Sequence, residues 1–202
     1  MTVKLLQGHT LDVLKTLEPK SVHCAVTSPP YWGLRDYQTP GVEWPAVSYS
    51  PMPGLPELDI PAWPGSLGLE PTPEMFVAHI VLIFREVWRV LRDDAVLWLN
   101  FGDSFSSGAS GQSGASPTST MNNANKGANK KGRTAPYKGL PPKNLIGIPW
   151  RVAFALQADG WYLRSDIIWQ KKNPMPESVR DRPTKAHEYL FLLAKSKRYF
   201  YD

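Results

Sequence analysis

Cysteine is almost absent from this 202-residue chain. The single Cys24 excludes an internal disulfide and a cysteine-based zinc site, and fits a reducing cytoplasm. The four histidines, His9, His23, His79 and His187, are scattered without ligand spacing, so no metal is expected. No basic N-terminal segment leads into an apolar signal core. The longest apolar stretch, around Phe76–Leu91, is broken by charges, so nothing points to a membrane. The most telling absence is of negative charge. Between Ser104 and Ala158 there is no acidic residue but seven basic ones: Lys126, Lys130, Lys131, Arg133, Lys138, Lys143 and Arg151. The net charge of +5 is therefore local, since the rest of the chain stands at −2. Such a segment either lies on phosphate or is a solvated basic loop.

With 42% hydrophobic and 20% charged residues, the composition is that of one compact α/β domain. Val3–Leu6 reads as a short strand and Thr10–Leu17 as a short helix capped by Thr10, with Asp12 in its first turn. Val22–Thr27 is β-branched and apolar, and reads as a buried strand in which Cys24 is a small core residue. From Gly33 to Pro71 the chain is dense in Pro, Gly and Trp without a period, and reads as one long loop. Thr72 and Pro73 open a strong helix in which Phe76, Val77, Ile80, Ile83, Phe84, Val87 and Leu91 recur at spacings of three and four. Arg92-Asp93-Asp94 turns the chain into an apolar strand, Ala95–Phe101. Residues 103–143, rich in Gly, Ser, Asn and Lys, read as a low-complexity basic insertion. A second helix near Pro149–Asp159 is stopped by Gly160. Tyr162–Gln170 and Glu188–Lys195 read as strands, with Arg198–Tyr201 extending the last hairpin. The alternation predicts an α/β fold with a mostly parallel sheet and a C-terminal antiparallel hairpin.

Where the strand Val22–Thr27 ends, Ser28-Pro29-Pro30-Tyr31-Trp32 combines a hydroxyl, two prolines and two aromatics. The prolines cannot donate backbone N–H groups to a ladder, so their carbonyls are free to accept bonds from a ligand. Ser28 and the Pro29 carbonyl suit the hydrogens of an amino group, and Tyr31, with Trp32, offers a face for a planar ring.

In this context Thr27-Ser28-Pro29-Pro30-Tyr31, followed by Trp32-Gly33-Leu34-Arg35-Asp36-Tyr37, resembles the catalytic motif of the DNA amino-methyltransferases, Asp/Asn/Ser-Pro-Pro-Tyr/Phe/Trp. The serine version looks like the cytosine-N4 form, and the order of motifs like the permuted subgroup in which the catalytic motif comes first. The resemblance extends through Leu97-Trp98-Leu99-Asn100, Trp169-Gln170-Lys171 and Asn173–Glu188. It implies a Rossmann-like fold and methyl transfer from S-adenosylmethionine to the exocyclic amino group of a flipped base in double-stranded DNA, cytosine N4 before adenine N6. The implied catalytic residues are Ser28, Pro29, Pro30 and Tyr31. Gly8, His9 and Ser28 are the implied cofactor contacts. DNA contacts fall to Trp32, Lys126, Lys130, Lys131, Arg133, Lys138, Arg180, Arg182 and His187; the clusters Arg180-Asp181-Arg182 and Lys185-Ala186-His187-Glu188 suit phosphates or the flipped nucleotide, although they also read as a surface salt-bridge group.

Two departures stand out. The family's Asp-Pro-Phe-X-Gly-Ser-Gly-Thr turn, which lets backbone approach the cofactor, is missing, and Gly8-His9 stands where Gly-Asp is usual. Gly108, Gly111 and Gly114 have the wrong spacing to replace the turn and read as linker. The expectation is therefore a partial catalytic domain: a fragment, one half of a split enzyme, or a degenerate non-catalytic DNA-binding copy. Its parallel sheet would expose an unpaired edge to a second polypeptide or to another copy of the chain.

Overall fold

The computed structural model describes residues 3–106, 139–174 and 177–202. The basic residues Lys126, Lys130, Lys131, Arg133 and Lys138 lie outside the described residues, as does most of the insertion predicted at 103–143.

One short helix, α1 (Thr10–Lys15), precedes the strand β1 (Val22–Thr27), whose bounds match those predicted. Four short strands follow: β2 (Val42–Trp44), β3 (Val47–Tyr49), β4 (Leu58–Ile60) and β5 (Trp63–Gly65). The long helix α2 (Pro73–Val90) leads directly into β6 (Leu91–Phe101). Then come α3 (Ile148–Ala158), β7 (Tyr162–Gln170) and β8 (His187–Ala194).

The main sheet has the order β1-β6-β8-β7. β1 and β6 pair in parallel, while β8 is antiparallel to both β6 and β7. Three strands thus share one direction and β8 runs against them. The carboxyl ends of β1, β6 and β7 meet the amino end of β8 at one edge of the molecule, and that geometry places the site.

Alternation along β6 and β8 sorts the two faces of the sheet. Leu97, Leu99, Phe101, Phe191 and Leu193 join the core under α2 and α3, with Phe76, Ile80, Phe84 and Leu156. On the opposite face Val96, Leu192 and Ala194 form a small cluster with Trp98 and Tyr199. Beyond that cluster the face is open: Val26 is 76% exposed and Trp169 57% exposed.

Several expectations change. Val3–Leu6 is not a strand; Val3 and Leu5 are exposed and find no ladder partner among the described residues. α1 is N-capped by His9, without a side-chain bond, so Thr10 is its first helical residue rather than its cap. β1 is not a buried strand. It lies at the sheet edge, one of its faces is uncovered, and Cys24 is exposed rather than a core residue. The predicted loop at 33–71 folds into two nested antiparallel pairs, β2 with β5 and β3 with β4. These strands are three residues long, too short to show an apolar period, and Trp44, Val47 and Tyr49 make their burial cooperative with α2. Arg198–Tyr201 is not a strand, although Phe200 N–H donates to the Asp94 carbonyl.

Candidate active site

Ser28 leaves the carboxyl end of β1, Asn100 stands near the carboxyl end of β6, Lys171 directly follows β7, and Glu188 lies near the amino end of β8. The sheet's directions bring these four to one place. A crevice outside the carboxyl ends of parallel strands is where open α/β sheets bind ligands.

Tyr31 is the hub. Its hydroxyl lies 2.6 Å from Asn100 Oδ1 and 3.2 Å from Glu188 Oε2, and accepts from Ser28 Oγ at 3.1 Å. Ser28 Oγ also lies 3.3 Å from Asn100 Oδ1. Asn100 is oriented by its own amide, which donates to the Tyr189 carbonyl at 3.0 Å, and Glu188 is held by an ion pair with Lys171. Burial pushes the Tyr31 phenol above its ordinary range, with the Ser28 hydroxyl acting in the opposite direction and Glu188 reinforcing burial. Tyr31 is therefore a neutral donor at physiological pH.

The ring of Tyr31 lies against the backbone of Gly102. A Cβ at that position would come within 2.7 Å of ring carbon Cε2, so only glycine allows this approach. A groove of about 640 Å³ is lined by Ser28 and Asn100 together with Val26, Thr27, Trp98, Trp169 and Leu190.

Other predicted site residues have different surroundings. Trp32 is only 1% exposed, and its indole N–H donates to the Glu70 carbonyl at 2.9 Å, so it anchors the motif in the core and presents no surface to DNA. His9 packs edge-on against Trp44 at 5.1 Å, and neither it nor Gly8 hydrogen-bonds Ser28. Arg182 pairs with Glu177 at 2.7 Å and lies 4.1 Å over the Phe105 ring, which commits its guanidinium within the chain. Arg180 is exposed, and His187 packs edge-on against Tyr189. Pro29 and Pro30 are half-buried beside the turn.

In the sequence Glu188 reads, within Lys185-Ala186-His187-Glu188, as part of a cluster contacting phosphate or the flipped nucleotide rather than as a partner of Tyr31, and no motif assigned Asn100 or Lys171 to the site. Nor did one single out the burial of Lys185, whose ammonium lacks a hydrogen-bond partner among the described residues and is pushed below its ordinary range by that burial. The same residues hold no cluster of His, Cys, Asp or Glu suited to a metal ion, and no helix long and apolar enough to cross a membrane.

Among solved structures the fold is shared with DNA methyltransferases. The PvuII DNA methyltransferase, described as cytosine-N4-specific, matches 95% of this chain and 49% of its own at a TM-score of 0.55 and 15% identity. A candidate DNA modification methylase of Thermus thermophilus, solved with S-adenosyl-L-methionine, matches 96% and 54% at a TM-score of 0.53 and 18% identity. Fold and strand-end site together define a methyltransferase-type α/β domain. The DNA methylase family profile covers residues 22–202, and the chain belongs to that family, the DNA amino-methyltransferases. Its sequence is 47% identical to the Type II methyltransferase M.Cfr9I of Citrobacter freundii and 44% identical to M.SmaI of Serratia marcescens. Each alignment spans 98% of this chain, but 56% and 58% of the relative. The chain thus spans little more than half the length of the curated relatives it matches.

Proposed function

We propose that this chain is the catalytic part of a DNA methyltransferase that moves a methyl group from S-adenosylmethionine to the exocyclic amino group of a flipped base, cytosine N4 preferred. The observation that carries the reading is the cluster of Ser28, Tyr31, Asn100 and Glu188 at the strand ends. The names of the PvuII, M.Cfr9I and M.SmaI enzymes support it.

An exocyclic amino nitrogen is a weak nucleophile because its lone pair is spread into the ring. A site that accepts its hydrogens favours the pyramidal nitrogen that can attack. Ser28 Oγ donates its one hydrogen towards Tyr31 or Asn100, leaving its lone pairs for an amino hydrogen. The single phenol hydrogen of Tyr31 goes to Asn100 Oδ1 or to Glu188 Oε2, and with either acceptor the chain from Ser28 through Tyr31 is polarised along its length, making Ser28 a better acceptor. The target base reaches this site only by leaving the duplex, at a cost of a few kcal/mol that stacking of ~1–3 kcal/mol per base offsets in part. With the Tyr31 ring laid on Gly102 and Trp32 in the core, the exposed indole of Trp169 in the groove is a further stacking face.

S-adenosylmethionine supplies an electrophilic methyl group on sulfur. The described residues do not make a full cradle for it: the charged groups joined to the Tyr31 hydroxyl, Glu188 and its partner Lys171, are paired with each other. The rest of the binding surface would come from polypeptide outside the described residues, and the open face and edge of β1 are where it would join.

The test is methyl incorporation from labelled S-adenosylmethionine into duplex oligonucleotides by the full-length methyltransferase containing this chain, followed by nucleoside digestion. N4-methylcytosine is the expected product. N6-methyladenine would move the substrate to adenine, and DNA binding without incorporation would favour a non-catalytic DNA-binding role.

A further inference from the structure

We propose that Glu70 and His79, two buried groups that the chemistry above does not use, are positioning residues that fix the Ser28–Tyr31 turn from behind. This rests on the reading of that turn as the reactive site.

Both side chains are fully buried, and Glu70 Oε1 meets His79 Nδ1 at 2.9 Å. The second carboxylate oxygen accepts the Gly68 N–H at 2.8 Å. The Gly68 carbonyl accepts the Gly33 N–H at 2.8 Å, and the Glu70 carbonyl takes the Trp32 indole. Gly68 has φ +93°, and a Cβ there would stand 3.2 Å from the Tyr31 carbonyl oxygen and 3.3 Å from Pro30 Cβ. The backbone of Gly68 therefore lies directly against the Tyr31 carbonyl and the Pro30 ring, and Glu70 holds it there. From the opposite side Ser104 Oγ donates to the Trp32 carbonyl at 2.8 Å, so the segment Tyr31-Trp32-Gly33 is fastened from both flanks.

His79 ties this clamp to the rigid part of the fold. It sits in α2 and is stacked on Trp44 at 4.5 Å, with Trp63 at 5.8 Å. Its Nε2 meets no hydrogen-bond partner among the described residues. An orphaned ring nitrogen in the core is a cost that an apolar pair of the same volume would avoid. What an apolar pair could not do is accept the Gly68 N–H. Displacement of a reacting group by about 1 Å costs on the order of 100-fold in rate.

Amide hydrogen exchange on the folded chain tests the clamp without reference to catalysis. Glu70→Leu fills the space but accepts no bond; Glu70→Gln keeps an acceptor oxygen. In Glu70→Leu the Gly33 and Gly68 amides are expected to exchange at least about tenfold faster, the consequence of losing the acceptor that holds the Gly68 N–H and, with it, the Gly68 carbonyl that Gly33 bonds. The ladder amides of Leu97 and Leu99 should be unchanged, and Glu70→Gln should restore most of the protection. Unaltered exchange at Gly33 and Gly68, or equal loosening of the loop and the sheet in both variants, would make the pair a core element only and overturn the proposal. In the full-length methyltransferase, Glu70→Leu should lower kcat with KM for DNA held. If exchange responds as expected but neither protein methylates DNA, the clamp stands and the catalytic reading falls.

Discussion

Ser28 has one hydrogen to give and two lone pairs to offer, and the site is arranged around that imbalance. Ser28→Ala removes the acceptor while leaving the Tyr31–Asn100 bond in place, so kcat should fall on the order of 100-fold with little change in thermal stability. Tyr31→Phe keeps the ring on Gly102 but interrupts the path to Glu188, and should also lower kcat. The same variant has a signature in pH. The folded phenol titrates above its ordinary value, so between that value and the raised one the folded state holds the extra proton, and stability is lost as pH rises through this window. Denaturant melts across the alkaline range, from about pH 9 to 11, should therefore show a shallower loss in Tyr31→Phe than in the parent. Gly102→Ala drives a methyl group into the Tyr31 ring and should destabilise by roughly 1–3 kcal/mol, as overpacking does, while breaking the Tyr31–Asn100 bond. Ser28 and Tyr31 were legible in the sequence because they stand in one short motif. Asn100 was not, and Glu188 was legible only as part of a phosphate- or base-contacting cluster, since they meet Tyr31 across 69 and 157 positions, and only the pairing of β1, β6 and β8 creates that meeting.

Elements with strong local signals were read well. α2 has its Thr72 cap, with the hydroxyl accepting Met75 N–H at 3.2 Å, and Pro73 in its first turn. α3 ends before Gly160, whose φ of +105° suits a helix stop. The start of α3 was legible only in part, because its cap comes from elsewhere. Gly147 at the N-cap offers no side chain, and Asp103, from the segment after β6, accepts both Gly147 N–H and Ile148 N–H on one oxygen at 3.0 and 2.9 Å. Asp103→Ala should cost about 0.5–2 kcal/mol, with Asp103→Asn milder, in chemical denaturation. The nested pairs β2–β5 and β3–β4 were missed because their pairing is set by tertiary burial of Trp44 and Tyr49, not by a period along the chain.

At the scale of the molecule, the architecture followed from the alternation of strands and helices, whereas the uncovered face did not, because the apolar content of β1 gives no sign of whether anything covers it. Calorimetric titration of the isolated 202-residue chain with S-adenosylmethionine should show weak or no binding, since no glycine turn completes the cradle; tight binding would mean another segment supplies it. The basic stretch ending at Lys143 should add about −0.9 per phosphate contact to the slope of log affinity against log salt on duplex DNA. Replacing Lys126, Lys130, Lys131 and Arg133 with alanine should flatten that slope with little change in sequence preference, and an unaltered slope would make the segment a solvated insertion.

The placement of β8 also sets an order of events in time. The strand that is last in sequence lies in the middle of the sheet, between β6 and β7, which do not pair with each other. During synthesis β6 can join β1 early, but β7 has no neighbour until β8 emerges. Residues 102–186 must be made first, on the order of ten seconds at ~5–20 residues per second. Until then Tyr31 lacks Glu188, and the apolar side chains of β6 and β7 are without their shared partner. Maturation of the site is thereby a late, non-local step of the kind that slows folding, and a nascent chain halted before His187 would be a substrate for chaperones rather than a weaker enzyme.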